Sequence, residues 1–577
     1  MKKKLLPALI VTGLIILVVI IMGITALINK YTPTKKTEDL KEYFNISSDD
    51  EAALIVDNEL SDYKAKIIDK KIYVDYKFVH DSLNSRFYWD ANENVLLYTT
   101  ASDIISAAAD SNSYSVTKQT NDFGYPIVKA TSDSALIALD YVKQYSNITF
   151  KSYDDPARIV ITSKWDEIDS ATVSKSTQVR VKGGIKSPIL KEVKKDDKIT
   201  ILDSGDKWDK VATEDGVIGY IKRKALSESK KTKLTNPDYE EETFTHIKKD
   251  KDICLAWNQV TSQSANSKVP QVISSTKGIN VMSPTWFYLN DNNGNLADIA
   301  SKDYVSYCHS QGIEVWGLFS NLENTDVDAA YVLTHTSTRT TLINQIMSAA
   351  FNYELDGVNI DFENITEAAY GDSYIEFIRE LSIKCHNNGI SLSVDVTVPA
   401  SFNKFFNRSD MANFADYIVI MGYDEHYKGS DAGSVSSIPW VTEGVESTLK
   451  EVPADQIILG MPFYTRIWEL TPKEDDDAVT DTEDQSKYNV ASQVYSMDAA
   501  AAQLATNNAT AALDEESGQN YAEWSASNKL YKVWLEDSTS LEKRLKLVDD
   551  NKLAGAAFWK LGFENSSVWD TVIKYLD

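Results

Sequence analysis

Cysteine is nearly absent: Cys254, Cys308 and Cys385 are the only three in 577 residues. An odd, sparse set is no disulfide framework, and free cysteines usually pack inside as small hydrophobes. Histidine is almost as scarce, at six. None falls in an HExxH array and no CxxC pair occurs, so no metal site is expected. No GxSxG elbow, Walker loop or dinucleotide fingerprint appears either, and no cofactor is expected. Positive charge is in deficit, with 59 basic against 85 acidic residues and a net charge of −26. Such a chain repels a duplex, which argues against nucleic acid as partner. A neutral sugar polymer meets no such barrier. What is present is globular in character, 43% hydrophobic and 10% aromatic, and the length suggests three or four domains.

The N-terminus carries the longest apolar run. Residues Leu5 to Ile28 contain no charged side chain and follow Lys2, Lys3 and Lys4. At about 1.5 Å per residue such a run spans roughly 36 Å, enough for a hydrocarbon core of about 30 Å. A cleavable signal has a shorter apolar region and a small-x-small site, which is not evident here. Residues 1–29 are therefore read as a cytoplasmic tip and single-pass anchor in the cell membrane. Everything after about residue 30 then lies outside the cytoplasm; secretion after signal cleavage is the alternative.

Residues 30–50 read as a polar stalk. An internal repeat occupies 51–168: Phe78-Val79, Tyr88-Trp89-Asp90 and Val95 to Tyr98 recur as Tyr141-Val142, Ser152-Tyr153-Asp154 and Ile159 to Thr162. Each copy reads as a short helix, a strand, a turn and a second strand. This resembles the small α+β domain at the N-terminus of copper amine oxidases, without copper ligands. Residues 171–228 change to short, regularly spaced strands, as in a small barrel. Their order, from Val179-Arg180-Val181 through Trp208 to Gly219-Tyr220-Ile221, is similar to bacterial SH3 domains. That resemblance implies either a cell-wall peptide partner or a spacer. Residues 229–245 read as a charged linker.

From 246 to 577, eight apolar strand-like runs alternate with helical stretches, which points to a (β/α)8 TIM barrel. The chemistry of such a barrel sits at the C-terminal ends of its strands. The fold class is thus multidomain: a transmembrane helix, a small α+β domain, an SH3-like β-barrel and a C-terminal TIM barrel with an α+β insertion. Between the seventh and eighth runs, Glu474 to Gln485 reads as an acidic loop, Met497 to Asn507 as an Ala-rich helix, and 513–536 as a hairpin.

The fourth run, Leu355-Asp356-Gly357-Val358-Asn359-Ile360-Asp361-Phe362-Glu363, is the most informative. Strand side chains alternate, so Asn359, Asp361 and Glu363 share one face. A polar row inside an apolar barrel is costly unless bonded or used. Asp361 and Glu363, about 6.6 Å apart along a strand, cannot both ionise easily, so one keeps its proton to higher pH. The end position makes Glu363 the proton donor. Neighbours on one strand approach a sugar from the same side and cannot place a nucleophile opposite the leaving group. A second carboxylate from another strand could take that part, or the 2-acetamido carbonyl of N-acetylglucosamine could, attacking its own anomeric carbon.

These residues resemble the DxxDxDxE signature of glycoside hydrolase family 18, read here as Asp356, Asn359, Asp361, Glu363. The single departure, Asn359, removes the inner carboxylate that couples to Asp361 and puts the pH optimum in question. Met421-Gly422-Tyr423-Asp424 is similar to the family's sixth-strand motif, Gly460 to Arg466 looks like its seventh strand, and Phe558-Trp559 its eighth. The resemblance implies catalytic roles for Glu363, Asp361 and Tyr423. It implies substrate contacts from Asn359, Met421, Asp424, Tyr464 and Trp559, while Arg466 either contacts sugar or is an ion-pair partner. Trp286-Phe287-Tyr288 lines a sugar cleft or packs in the core. The implied activity is retaining hydrolysis of β-1,4-linked N-acetylglucosamine polymers, peptidoglycan or chitin-type, with no cofactor. A sugar-binding, non-catalytic wall protein is the alternative.

Overall fold

The computed structural model describes residues 5–365, 367–473 and 485–576. Apart from Gln485, the acidic stretch expected at 474–485 lies outside the described residues. An apolar helix, Leu5–Tyr31, opens the chain, and its stretch Leu9–Tyr31 is long and apolar enough to cross a membrane. Leu14, Val18 and Ile28 on it are exposed.

The chain divides into two compact units. The first holds residues 1–89, 107–114 and 121–241. In it, one seven-stranded sheet runs in the order 149–153, 158–162, 51–56, 59–68, 71–75, 135–138, 128–130. The two repeat copies meet there: 71–75 and 135–138, the strands preceding their helices Tyr76–Ser82 and Leu139–Gln144, pair antiparallel. A second seven-stranded sheet contains the regularly spaced strands between 177 and 222. It also takes in Glu167–Thr172 and Lys230–Lys233, so part of the stretch expected as linker is a strand. Phe44, Ala53 and Ile55 share one core with Val179, Val193, Val211 and Ile221.

The second unit is residues 242–577 together with 90–106 and 115–120. The early segment is fastened to the helices of the later one. Thr99 Oγ1 donates to Glu376 Oε1 (2.8 Å), and Asp90 accepts from the backbone and hydroxyl of Thr336 (2.7 and 2.6 Å). Eight parallel strands close a barrel: β1 (Ile253–Asn258), β2 (Val281–Leu289), β3 (Glu314–Ser320), β4 (Gly357–Asp361), β5 (Ser391–Thr397), β6 (Tyr417–Met421), β7 (Ile457–Pro462) and β8 (Gly555–Trp559). The first pairs with both the second and the eighth, which completes the ring. Alternation sorts the side chains. Leu255, Trp257, Trp316, Leu318, Tyr417 and Val419 fill the interior, while Val358, Ile360, Leu392, Val394 and Ile420 face the helices.

Gly357 opens β4 because the indole of Trp316 crosses its backbone; a Cβ there would lie 2.5 Å from that ring. Gly357→Ala should therefore destabilise the barrel by about 1–3 kcal/mol, the usual cost of overpacking. Calorimetry would show it as an earlier melting transition.

The three cysteines are free and buried. Between β7 and β8, a five-stranded sheet and the helix Met497–Thr506 form an α+β insertion; in the sheet, Tyr464–Pro472 pairs with both Tyr488–Ser496 and Lys529–Leu535.

Candidate active site

Asn359 is the centre of the barrel's polar interior. It is fully buried, and an amide so placed needs two donors for its oxygen and two acceptors for its nitrogen. All four are present. Its Oδ1 accepts from Trp257 Nε1 and from Ser283 Oγ, both at 2.9 Å. Its Nδ2 donates to Ser393 Oγ at 3.1 Å and to Asp395 Oδ1 at 2.7 Å. Trp257 and Ser283 are level on β1 and β2, and Ser393 is level with Asn359 on β5. The side chain thus ties four strands together.

Asp395 changes the reading of the asparagine. An aspartate at 359 would set a carboxylate against the Asp395 carboxylate, whereas the amide donates to it. An inner carboxylate is therefore present, contributed by β5 and not by β4. That corrects the expectation that Asn359 leaves the row without one.

Asp361 ends β4, level with Ser320 on β3. Its Oδ1 is buried and finds no hydrogen-bond partner among the described residues. Burial first, then the neighbouring Glu363 and Glu323, holds its carboxyl well above the usual range. Glu363 stands two residues past the end of β4, on the loop and not on the strand itself. Asn321, after β3, clamps its backbone twice: Oδ1 accepts from the Glu363 N–H (3.0 Å) and Nδ2 donates to its carbonyl (3.1 Å). The Glu363 carboxyl is raised by burial, then by Asp424 and Glu323. These are the conditions that keep an acid protonated into the range where it can donate.

Aromatic rings surround this cluster. Trp257 meets Trp559 edge-on at 5.9 Å and Tyr423 at 6.5 Å, and Tyr423 meets Tyr464 at 6.3 Å. Burial, then Asp395 and Asp361, pushes the Tyr423 hydroxyl up, so it remains a donor. Met421 ends β6, level with Thr397, and is nearly buried. Asp424 has a left-handed backbone (φ 62°). Its carboxylate accepts from Tyr464 Oη at 2.6 Å and lies 3.6 Å from the Arg466 guanidinium. Arg466 is thus an ion-pair partner of a rim aspartate, and its Nε has no partner among the described residues.

The structure brings Asn359, Asp361, Glu363, Tyr423, Asp424, Tyr464, Arg466 and Trp559 to one end of the barrel, linked by these contacts. Trp286 belongs elsewhere: it is fully buried, packs on Tyr304 at 4.9 Å and donates to Asn266 Oδ1 at 2.8 Å. The core reading holds for it. Asp395, Asn321, Glu323 and Trp257 were not singled out from the sequence. Of these Asp395 had a signal, an acidic residue on the same alternating face as Ser391 and Ser393.

Residues 319–564 match the model of the glycosyl hydrolases family 18. The chain is 23% identical over 299 residues to an uncharacterized glycosylase, YvbX, of Bacillus subtilis (strain 168), covering 49% of this chain and 81% of that protein. It is 25% identical over 287 residues to the cortical fragment-lytic enzyme of the same organism, covering 48% of this chain and 63% of that enzyme, less than two thirds of its length. The solved C-terminal domain of a proposed chitinase from Desulfitobacterium hafniense DCB-2 superimposes with a TM-score of 0.50 at 18% identity, covering 57% of this chain and 100% of that one. That likeness is one of fold.

Proposed function

Taking the barrel as a glycoside hydrolase of family 18, we propose that this chain cleaves β-1,4 bonds of N-acetylglucosamine polymers outside the cytoplasm, with retention of configuration. One observation carries the reading: a clamped, protonatable Glu363 beside an Asp361 whose buried Oδ1 has no partner among the described residues, with Trp257, Tyr423 and Trp559 around them. Glu363 gives its proton to the glycosidic oxygen as the bond to the anomeric carbon breaks. The acetamido carbonyl oxygen of the same sugar closes on that carbon, so the protein supplies no nucleophile. Asp361 accepts the acetamido N–H and steadies the cyclic cation, and the Tyr423 hydroxyl holds the acyl oxygen. Glu363, now a carboxylate, takes a proton from water as it opens the ring. Trp559 offers a flat apolar floor to the sugar. Asp424, Tyr464 and Met421 shape the rest of the subsite, while Asn359 and Arg466 hold it in position.

Peptidoglycan is favoured over chitin as substrate, because a cortical fragment-lytic enzyme is among the relatives and the Leu5–Tyr31 helix would hold the barrel next to a cell wall, as an anchor or before removal as a signal. The SH3-like strands would then engage wall peptide. Incubation of the full chain with peptidoglycan and with chitin oligomers should release soluble sugar from the first faster than from the second, and NMR should show the β-anomer forming first. Release from neither by folded protein would overturn the proposal. Faster release from chitin would overturn the preference alone.

A further inference from the structure

Asp395 belongs to none of the sequence motifs, yet it sits deep in the polar interior. It is 2% exposed and lies in a run, Ser391 to Thr397, whose remaining residues are apolar or hydroxylic. Its Oδ1 takes one of the two donors of Asn359 at 2.7 Å. The ladder pairs Asn359 with Ser393 and Ile360 with Val394, so the next rung sets Asp361 beside Asp395 on the same face. Asp395, Asp361 and Glu363 thus form a file of carboxyls, the first two side by side on neighbouring strands and the third two residues beyond the end of β4. The charged groups that act on Asp395 are Asp361 at the end of β4 and Glu363 on the loop beyond it, both acidic. Asp395 in turn acts on Tyr423 beyond β6 and on Tyr374 of the helix Ala368–His386. Buried carboxylates that face one another cannot all ionise, so protons remain among them.

We propose that Asp395 is a positioning residue for the reaction proposed above, supplying from β5 the inner carboxylate that β4 lacks, and that it shares one proton with Asp361 while Asn359 fixes it in place. The proposal rests on the glycosidase reading, but it has a readout that needs no substrate. In the folded protein Asp395 binds a proton at pH values where the unfolded chain has released it. Stability therefore falls as pH rises from the ordinary carboxylate range through the folded value. Removing the group makes that fall shallower.

Three full-length proteins decide the matter: wild type, Asp395→Asn, and the exchange Asn359→Asp with Asp395→Asn, which returns the carboxylate to β4 and puts the amide on β5. The melting temperature between pH 4 and 8 should decline less steeply for Asp395→Asn than for wild type, and the exchange should restore the wild-type slope. On whichever glycan the wild type cleaves, Asp395→Asn should lower kcat about 10-fold, a fraction of what a general acid contributes, with KM changed less than about twofold. Loss of a negative neighbour lowers the pKa values of Asp361 and Glu363. The basic limb of the pH profile should therefore move about one unit to lower pH, and the exchange should bring it back. An unmoved melting slope, or an exchange that folds and restores neither slope nor limb, overturns the assignment. Should Asp395→Asn fail to fold, the exchange alone decides by the same two criteria. A wild type that cleaves nothing refutes the proposed function, and the melting slopes still judge the proton sharing.

Discussion

Glu363→Gln should lower release of sugar by about 10²–10⁴-fold, the span measured for loss of a general acid or base, while binding of the same sugar changes only a few-fold. The two effects separate because the side chain's position is set by its backbone. Asn321 holds both the N–H and the carbonyl of residue 363, and neither contact involves the carboxyl. Glutamine is close to isosteric and stays where glutamate stood, but it has no proton of useful acidity. The wild-type acid is poised by burial first, and then by Asp424 and Glu323, which raise its carboxyl above the ordinary glutamate value. The basic limb of the wild-type profile should accordingly lie above the usual glutamate range near pH 4.3, and the residual activity of the variant should show no such limb. Calorimetric binding of a chitin oligomer to both proteins, beside single-turnover release, makes the measurement. Binding by both with release by neither would leave a sugar-binding protein. A variant as fast as wild type would move the acid to another residue.

How far the sequence carried this picture follows from which physical rules act within a strand and which act between strands. Alternation is local. Asn359, Asp361 and the run Val358, Ile360, Phe362 therefore fall on the faces expected of them, and the eight apolar runs close as a parallel ring. Register between strands is not local. The partner of Asn359 on β5 is fixed by the ladder and by the reach of one amide, which takes in both Ser393 and Asp395; nothing in β4 announces either. Asn321 clamps Glu363 from a loop 42 residues upstream, a pairing that exists only once β3 and β4 are side by side. Trp286, aromatic and near a strand end, satisfied the same sequence criteria as a cleft residue, but its indole N–H is taken by Asn266 within the core. Segment 90–106 goes with the barrel unit through hydrogen bonds of Asp90, Asn92, Glu93, Thr99 and Ala101, and scattered hydrogen-bonding residues in a repeat leave no pattern to read. Lys230–Lys233 was hidden for the opposite reason: a strand of three lysines and a threonine carries no hydrophobic period, and pairing with 167–170 alone makes it one.

A glucosamine oligomer with free amines, otherwise the same length and linkage as its N-acetylated counterpart, should be cleaved slower by several orders of magnitude. An intramolecular nucleophile in place is equivalent to an effective concentration of about 10⁵–10⁸ M, and deacetylation removes it. Asp361 and Glu363 come from one strand and its continuation and so approach from one side, and Asp395 stands beside Asp361 on the neighbouring strand. Asp361 is better placed to serve the acetamide than to replace it: Oδ1 is buried without a partner among the described residues, which is costly in the free protein and is relieved when an N–H is delivered to it. Removing that N–H leaves the oxygen unpaired in the complex as well, so the loss should appear in KM in addition to kcat. A stable thiazoline, which keeps the shape of the cyclised sugar, should by the same reasoning bind more tightly than the uncyclised product, and Asp361→Ala should remove most of that advantage. Equal cleavage of the two oligomers would mean that the protein supplies the nucleophile, and the carboxyl file would need a different explanation.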